Sequence, residues 1–269
     1  MSTKRVTLVD VGPRDGIQAE PKILTTQEKV EFITRIIDAG VTRIEVTSFV
    51  NPKRVPQMAD AAEVLAALPR DGRASYIGLI LNMKGFERAR DATVDEVGYA
   101  VVASDTFAQK NQGMSSDETV KAWQQVGALA KKEGFKTSVT IGASFGCPFE
   151  GEVSPDRVVA MAKACAEVNP DEVALADTIG CADPRRVSEL VKRVKDAVPG
   201  TKIRVHLHNT RNTGLANAYA AVEAGVEVVA RGERRLTRRQ HGAGAQQHDL
   251  QTQRLRRHLD ASLDTRKAR

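Results

Sequence analysis

No run in this sequence approaches the roughly 18 uninterrupted apolar residues of a membrane span. No membrane partner is therefore expected. The start, MSTKRVTLVDV, enters a strand-like run within a few residues and leaves no space for a signal peptide or transit sequence. A cytoplasmic protein is the expectation. Cysteine is scarce, with only Cys147, Cys165 and Cys181. An odd number without a close pairing motif suggests neither a disulfide framework nor a cysteine zinc site, and all three are expected to be small buried hydrophobes. Also missing is a glycine-rich phosphate fingerprint after the first strand, which a doubly wound sheet would normally carry.

The remaining composition is ordinary for a globular protein. Its 269 residues are 41% hydrophobic and 28% charged, enough to bury a substantial core within one large domain. The net charge of +6 is unevenly placed, because residues 230–269 hold 11 Lys/Arg against 4 Asp/Glu. The first 229 residues therefore sum to −1. That basic segment has no aromatic residue to stack on bases, so only salt-sensitive, nonspecific nucleic-acid binding is expected of it.

Eight β-branched runs recur along the chain, at residues 6–11, 43–49, 74–81, 96–103, 136–142, 172–178, 202–208 and, as a stub, 226–230. Seven intervening segments read as helices. Thr25 with Glu28 and Ser115 with Glu118 have capping-box spacing, while Ser154-Pro155 and Asp183-Pro184 each place a cap before a first-turn proline. Gly40, Gly134 and Gly225 sit where helices should stop. This alternation predicts an α/β fold, a (β/α)8 TIM barrel with an incomplete eighth unit. Residues 1–229 form the barrel domain in this reading. Residues 230–269, rich in Arg, Gln and His, read as a disordered or weakly helical tail, or as a chain that has left its reading frame.

Catalytic groups of parallel barrels gather where strands end and loops begin, at the C-terminal face. Arg14 and Asp15 follow strand 1, Glu45 lies within strand 2, Asp177 ends strand 6, and His206 and His208 end strand 7. Taken singly, each acid could equally be an ion-pair partner or a helix cap. The strongest signal is the histidine pair. Positions i and i+2 of a strand share a face, so both imidazoles can turn into the barrel mouth and grip one cation. Asp15 would complete a set of mixed N and O donors, which suits Mg2+, Mn2+ or Zn2+.

The motifs DVGPRDGIQ, IEVTSFVNPKRVPQMAD, NMKGFERA, GCPFEG, LADTIG and HLHNT occur in this order. Together they resemble the 3-hydroxy-3-methylglutaryl-CoA lyase branch of the metal-dependent barrel lyases and Claisen-type synthases, over residues 4 to 229. The resemblance implies a Mg2+ or Mn2+ ion, with Zn2+ less favoured, held by Asp15, His206 and His208. It implies retro-Claisen cleavage of an acyl-CoA to acetyl-CoA and a keto acid, in leucine degradation and ketone body metabolism. Arg14, Glu45, Asp177 and His206 are the implied catalytic residues, and Arg14, Gln18 and Asn82 the implied substrate contacts. Arg14 would stabilise the enolate, and Glu45 and Asp177 would serve orientation or proton transfer. A homo-oligomer, as a dimer, is also implied. The family pattern continues after strand 8 with a catalytic cysteine loop and an asparagine ligand, and neither follows Val229. Weak metal binding, impaired turnover or an inactive barrel, and marginal stability are therefore expected.

Overall fold

The structure is a computed structural model that describes residues 5–231. Eight strands follow one another around a closed, wholly parallel barrel: β1 (Thr7–Asp10), β2 (Arg43–Ser48), β3 (Ser75–Ile80), β4 (Glu96–Val102), β5 (Lys136–Gly142), β6 (Glu172–Asp177), β7 (Lys202–Leu207) and β8 (Val228–Arg231). Parallel neighbours need crossover connections, and helices supply them. They are α1 (Thr26–Asp38), α2 (Ala61–Ala67), α3 (Met83–Asp91), α4 (Asp105–Gln112), α5 (Ser116–Lys132), α6 (Pro155–Ala166), α7 (Pro184–Ala197) and α8 (Gly214–Glu223). The architecture is the (β/α)8 barrel. No helix among the described residues is long and apolar enough to cross a membrane.

The start signals work as the sequence implies. Thr25 and Ser115 each accept the N–H three residues on, and Glu28 and Glu118 each reach back to the cap residue's N–H. Each such cap is worth about 1 kcal/mol. The side chains of Ser154 and Asp183 cap α6 and α7 ahead of their prolines. Gly40, Gly134 and Gly225 all take positive φ.

Two expectations need correction. The segment between β4 and β5 holds two helices, because Gly113 at φ 73 takes the left-handed conformation that ends α4, and Ser115 then caps α5. Strand 8 is shifted, occupying 228–231, because pairing decides its limits. Val228 to Arg231 align with Thr7 to Asp10 of β1, and the Thr7 N–H reaches the Glu227 carbonyl at 2.9 Å. The strand therefore runs two residues past Val229. The reading of residues 230–269 as a basic tail lies, from residue 232 on, outside the described residues.

Apolar side chains between strands and helices form the main core, around Trp123, Tyr76, Tyr99 and Phe86. Inside the barrel the lower half is polar. The Arg43 Nε donates to both Glu96 oxygens at 2.9 and 3.0 Å, and Nη1 of the same side chain pairs with Glu172. Arg204 lies 3.6 Å from the other Glu172 oxygen and donates from Nη2 to Thr140 Oγ1 at 3.2 Å. Buried charges are tolerable in such mutual pairs.

Candidate active site

The loop after β1 makes one π-helical turn, Gly12–Gly16, in which the Val11 carbonyl accepts the Arg14, Asp15 and Gly16 N–H groups. Single π turns frequently mark functional sites. Glycine at position 12 allows a close approach there, since a Cβ would lie 2.9 Å from Asp10 Oδ1, which itself accepts the Gly12 N–H at 2.8 Å. The turn aims Asp15 and Arg14 inward over the barrel mouth.

Asp15, His206 and His208 offer ligand atoms that all lie within 4.8 Å of one another. The two Nε2 atoms are 2.7 Å apart, and Asp15 Oδ2 is 3.7 Å from His206 Nε2 and 3.3 Å from His208 Nε2. Asp15 Oδ2 is buried without a hydrogen-bond partner. An orphaned carboxylate oxygen facing two converging imidazole nitrogens is costly alone and well matched to a cation, so these residues fit a divalent metal.

Arg14 ties this group together. Its Nη1 donates to Asp15 Oδ1 at 2.9 Å, and its Nε bonds Glu45 on β2. Burial alone would raise the Asp15 carboxyl, but the Arg14 guanidinium and both imidazoles outweigh it and hold the group well below the usual carboxylate range. Burial would lower Arg14, yet Glu45 and Asp15 raise it. Burial lowers His206, against the Asp15 contact, which favours the neutral imidazole that a metal needs.

These residues open into a cavity of about 730 Å3. Arg14, Asp15, Gln18, Asn82, His206 and His208 line it. The Gln18 side-chain Oε1 is buried and unpartnered, whereas Asn82 Oδ1 caps α3 by accepting the Gly85 N–H at 2.9 Å. Glu45 and Asp177 do not line it. Asp177 accepts the N–H groups of Cys181 at 2.9 Å and Ala182 at 3.0 Å, shaping the β6 loop. That loop locks onto the β7 loop: the Ala182 carbonyl accepts Thr213 Oγ1 and Asn217 Nδ2 at 3.1 and 3.0 Å. Of the cysteines, Cys147 and Cys165 are buried as expected, while Cys181 is only half-buried on this loop.

Arg54, Lys110 and Thr140 also line the cavity and were not singled out from sequence. Lys110 sits on a short helix and Thr140 in a strand without a local motif, and Arg54 lies in the loop of IEVTSFVNPKRVPQMAD, so only the closed barrel brings them together. A second cavity, of about 740 Å3, opens at the other end, lined by Arg43, Glu96 and Glu172. Their charges already satisfy one another. The mouth that holds the histidines is the end at which barrel enzymes place their active sites.

Comparison with known proteins agrees with this geometry. The chain is 40% identical to (R)-citramalyl-CoA lyase of Chloroflexus aurantiacus over 82% of its own length and 73% of the relative's. It is 35% identical to the hydroxymethylglutaryl-CoA lyase YngG of Bacillus subtilis, covering 84% of this chain and 75% of that one. A solved HMG-CoA lyase from Acinetobacter baumannii, in complex with coenzyme A and 3-methylmalate, superposes with a TM-score of 0.82 at 32% identity, covering 86% of this chain and 76% of that one. The HMGL-like family model matches residues 5–231, the same span that closes the barrel and brings the aspartate and both histidines together. The chain belongs to the HMGL-like family, and by family it is a lyase-type enzyme.

Proposed function

We propose that the chain is a divalent-metal-dependent carbon–carbon lyase that cleaves 3-hydroxy-3-methylglutaryl-CoA, or a close 3-hydroxy-acyl-CoA, to acetyl-CoA and a keto acid. The observation that carries this reading is the convergence of Asp15 Oδ2, His206 Nε2 and His208 Nε2 beside Arg14 at the barrel mouth. A Mg2+ or Mn2+ ion held there would supply the Lewis acidity that lowers the pKa of the substrate's hydroxyl.

The side chains supply the rest. Asp15 is kept ionised and oriented by Arg14, and Glu45 fixes Arg14 in turn. With Nε and Nη1 so engaged, Arg14 keeps further N–H groups for the cavity, where they would stabilise negative charge on the thioester oxygen. Such a donor is worth about 2.7 to 4 kcal/mol of barrier. Neutral His206 keeps its lone pair for a ligand. Gln18 and Asn82 would contact the substrate, and Asp177 would serve orientation by holding the loop beside β7.

A second reading is favoured by the 40% identical relative: citramalyl-CoA has the same retro-Claisen chemistry with one methylene fewer between carboxylate and carbinol. In either case turnover should be low, because residues 230–269 contain neither cysteine nor asparagine to match the family's further thiol and ligand. A cytoplasmic homodimer completes the proposal. The test is acetyl-CoA release from both thioesters, with and without Mn2+, by this chain and by a version whose end follows the family pattern. Metal-dependent release by the second and weaker release by the first is the expected outcome. Metal-independent release, or none from either protein, would overturn it.

A further inference from the structure

Arg54 and Lys110 line the same cavity as the metal-binding trio, yet both are exposed at its rim. Asp15 is the only acidic residue among the described residues lining this cavity, and it is committed to Arg14 and the imidazoles. The Arg54 guanidinium has no acidic partner among the described residues. The ammonium of Lys110 sits over the Phe149 ring, 5.2 Å from its centroid.

Both cations are held on fastened supports. Phe149 packs edge-on against Phe107 with centroids 5.7 Å apart, and the neighbouring Glu150 carboxylate accepts the Thr106 N–H at 2.6 Å near the start of α4. At the other end of α4, Gln112 Nε2 donates to the Ala100 carbonyl of β4 at 2.9 Å. The loop bearing Arg54 is anchored by the buried Lys29, whose Nζ pairs with Asp60 and also donates to the Gln57 carbonyl at 2.6 Å. Gln57 Nε2 in turn donates to the Glu20 carbonyl at 2.8 Å, joining this loop to the one that carries Asp15. Two cations on separately anchored segments thus line one cavity.

We infer that Arg54 and Lys110 form a phosphate clamp at the cavity rim, binding the phosphorylated nucleotide end of coenzyme A while the acyl end lies against Asp15, His206 and His208. The assignment rests on the acyl-CoA reading above. Phosphate oxygens are the multiply charged acceptors that a guanidinium and an ammonium bind best. The rim position separates this work from the metal chemistry.

Titration calorimetry on the full chain, with coenzyme A and with pantetheine as probes, decides the matter. Pantetheine keeps the thiol arm and lacks every phosphate. Coenzyme A is expected to bind more tightly than pantetheine. Arg54→Ala and Lys110→Ala should each weaken coenzyme A about fivefold while leaving pantetheine unchanged, and Lys110→Arg should retain the binding. Raising salt to about 0.3 M should narrow the difference between the two probes. Equal binding of coenzyme A by the variants and the unaltered chain, or an equal loss for pantetheine, would overturn the clamp alone. An unaltered chain that bound neither probe would overturn the acyl-CoA reading as well.

Discussion

Arg14 donates from Nη1 to Oδ1 of Asp15 at 2.9 Å, and that contact leaves Oδ2 facing His206 and His208. One arginine thereby decides which carboxylate oxygen is offered to a cation. Glu45 decides where the arginine stands.

This chain of support gives the first prediction. Glu45→Gln removes the charge that holds Arg14 without touching the trio, and outer partners of this kind typically change metal affinity by about 10-fold or more. Mn2+ titration calorimetry should show that loss. Asp15→Ala should abolish uptake altogether. Unchanged affinity in Glu45→Gln would remove the orienting role.

Gly180 joins the loops after β6 and β7. It lies at φ 65, and a Cβ there would sit 2.4 Å from Thr210 Oγ1 and 2.9 Å from the Thr210 nitrogen. Gly180→Ala should therefore cost about 2 kcal/mol in stability, combining left-handed strain with overpacking. Because Thr210 follows His208 by two residues, Mn2+ affinity should fall too. Urea unfolding and calorimetry on the same sample check both effects.

Acid should weaken the first helix in a defined window. The Lys22 ammonium, with the Thr25 N–H and hydroxyl, lowers Glu28 from the ordinary 4.5 to about 2. A carboxyl depressed by folding stabilises the native state above its unfolded pKa, and the contribution disappears as pH falls through the folded value. The urea midpoint of the unaltered chain should thus exceed that of Glu28→Gln above pH 4.5, and the gap should close as pH approaches about 2. A gap independent of pH would show that the carboxylate charge is not what the cap uses.

Thiol chemistry offers a further check. Burial pushes the Cys165 thiol up to about 12, and burial followed by Asp177 pushes Cys181 up to about 11. The thiolate is the reactive species. Neither residue should react with iodoacetamide in the folded chain near neutral pH, and all 3 cysteines should react in denaturant. Rapid native labelling at Cys181 would mean that the β6 loop opens.

Much of this was legible beforehand, for a physical reason. Strand and helix signals are local, so the β-branched runs, the Thr25 and Ser115 boxes and the His206-Leu207-His208 spacing carry their meaning within a few residues. The limits of β8 were not, because they depend on hydrogen bonds to β1, more than 200 residues away in sequence. Gly113 was a local signal that the alternation of runs obscured. Glu45 and Asp177 show the boundary well. Both were visible as acids, one within a strand and one at a strand end, but only the fold reveals that one holds a guanidinium and the other a pair of loop N–H groups. Lys110 carries no local pattern at all, and the motif that contains Arg54 does not reveal that it reaches the cavity rim.

The paired side chains low in the barrel bear on what happens above them. Arg43 and Arg204 offset Glu96 and Glu172, so this layer adds no net charge to the interior. At the mouth, Asp15 and Glu45 outnumber Arg14 beside the two imidazoles, while Arg54 and Lys110 stand at the rim of the same cavity. A divalent ion would reverse the local sign. The inner group thus favours a cation and the rim an anion, so the two depths of one cavity attract opposite charges.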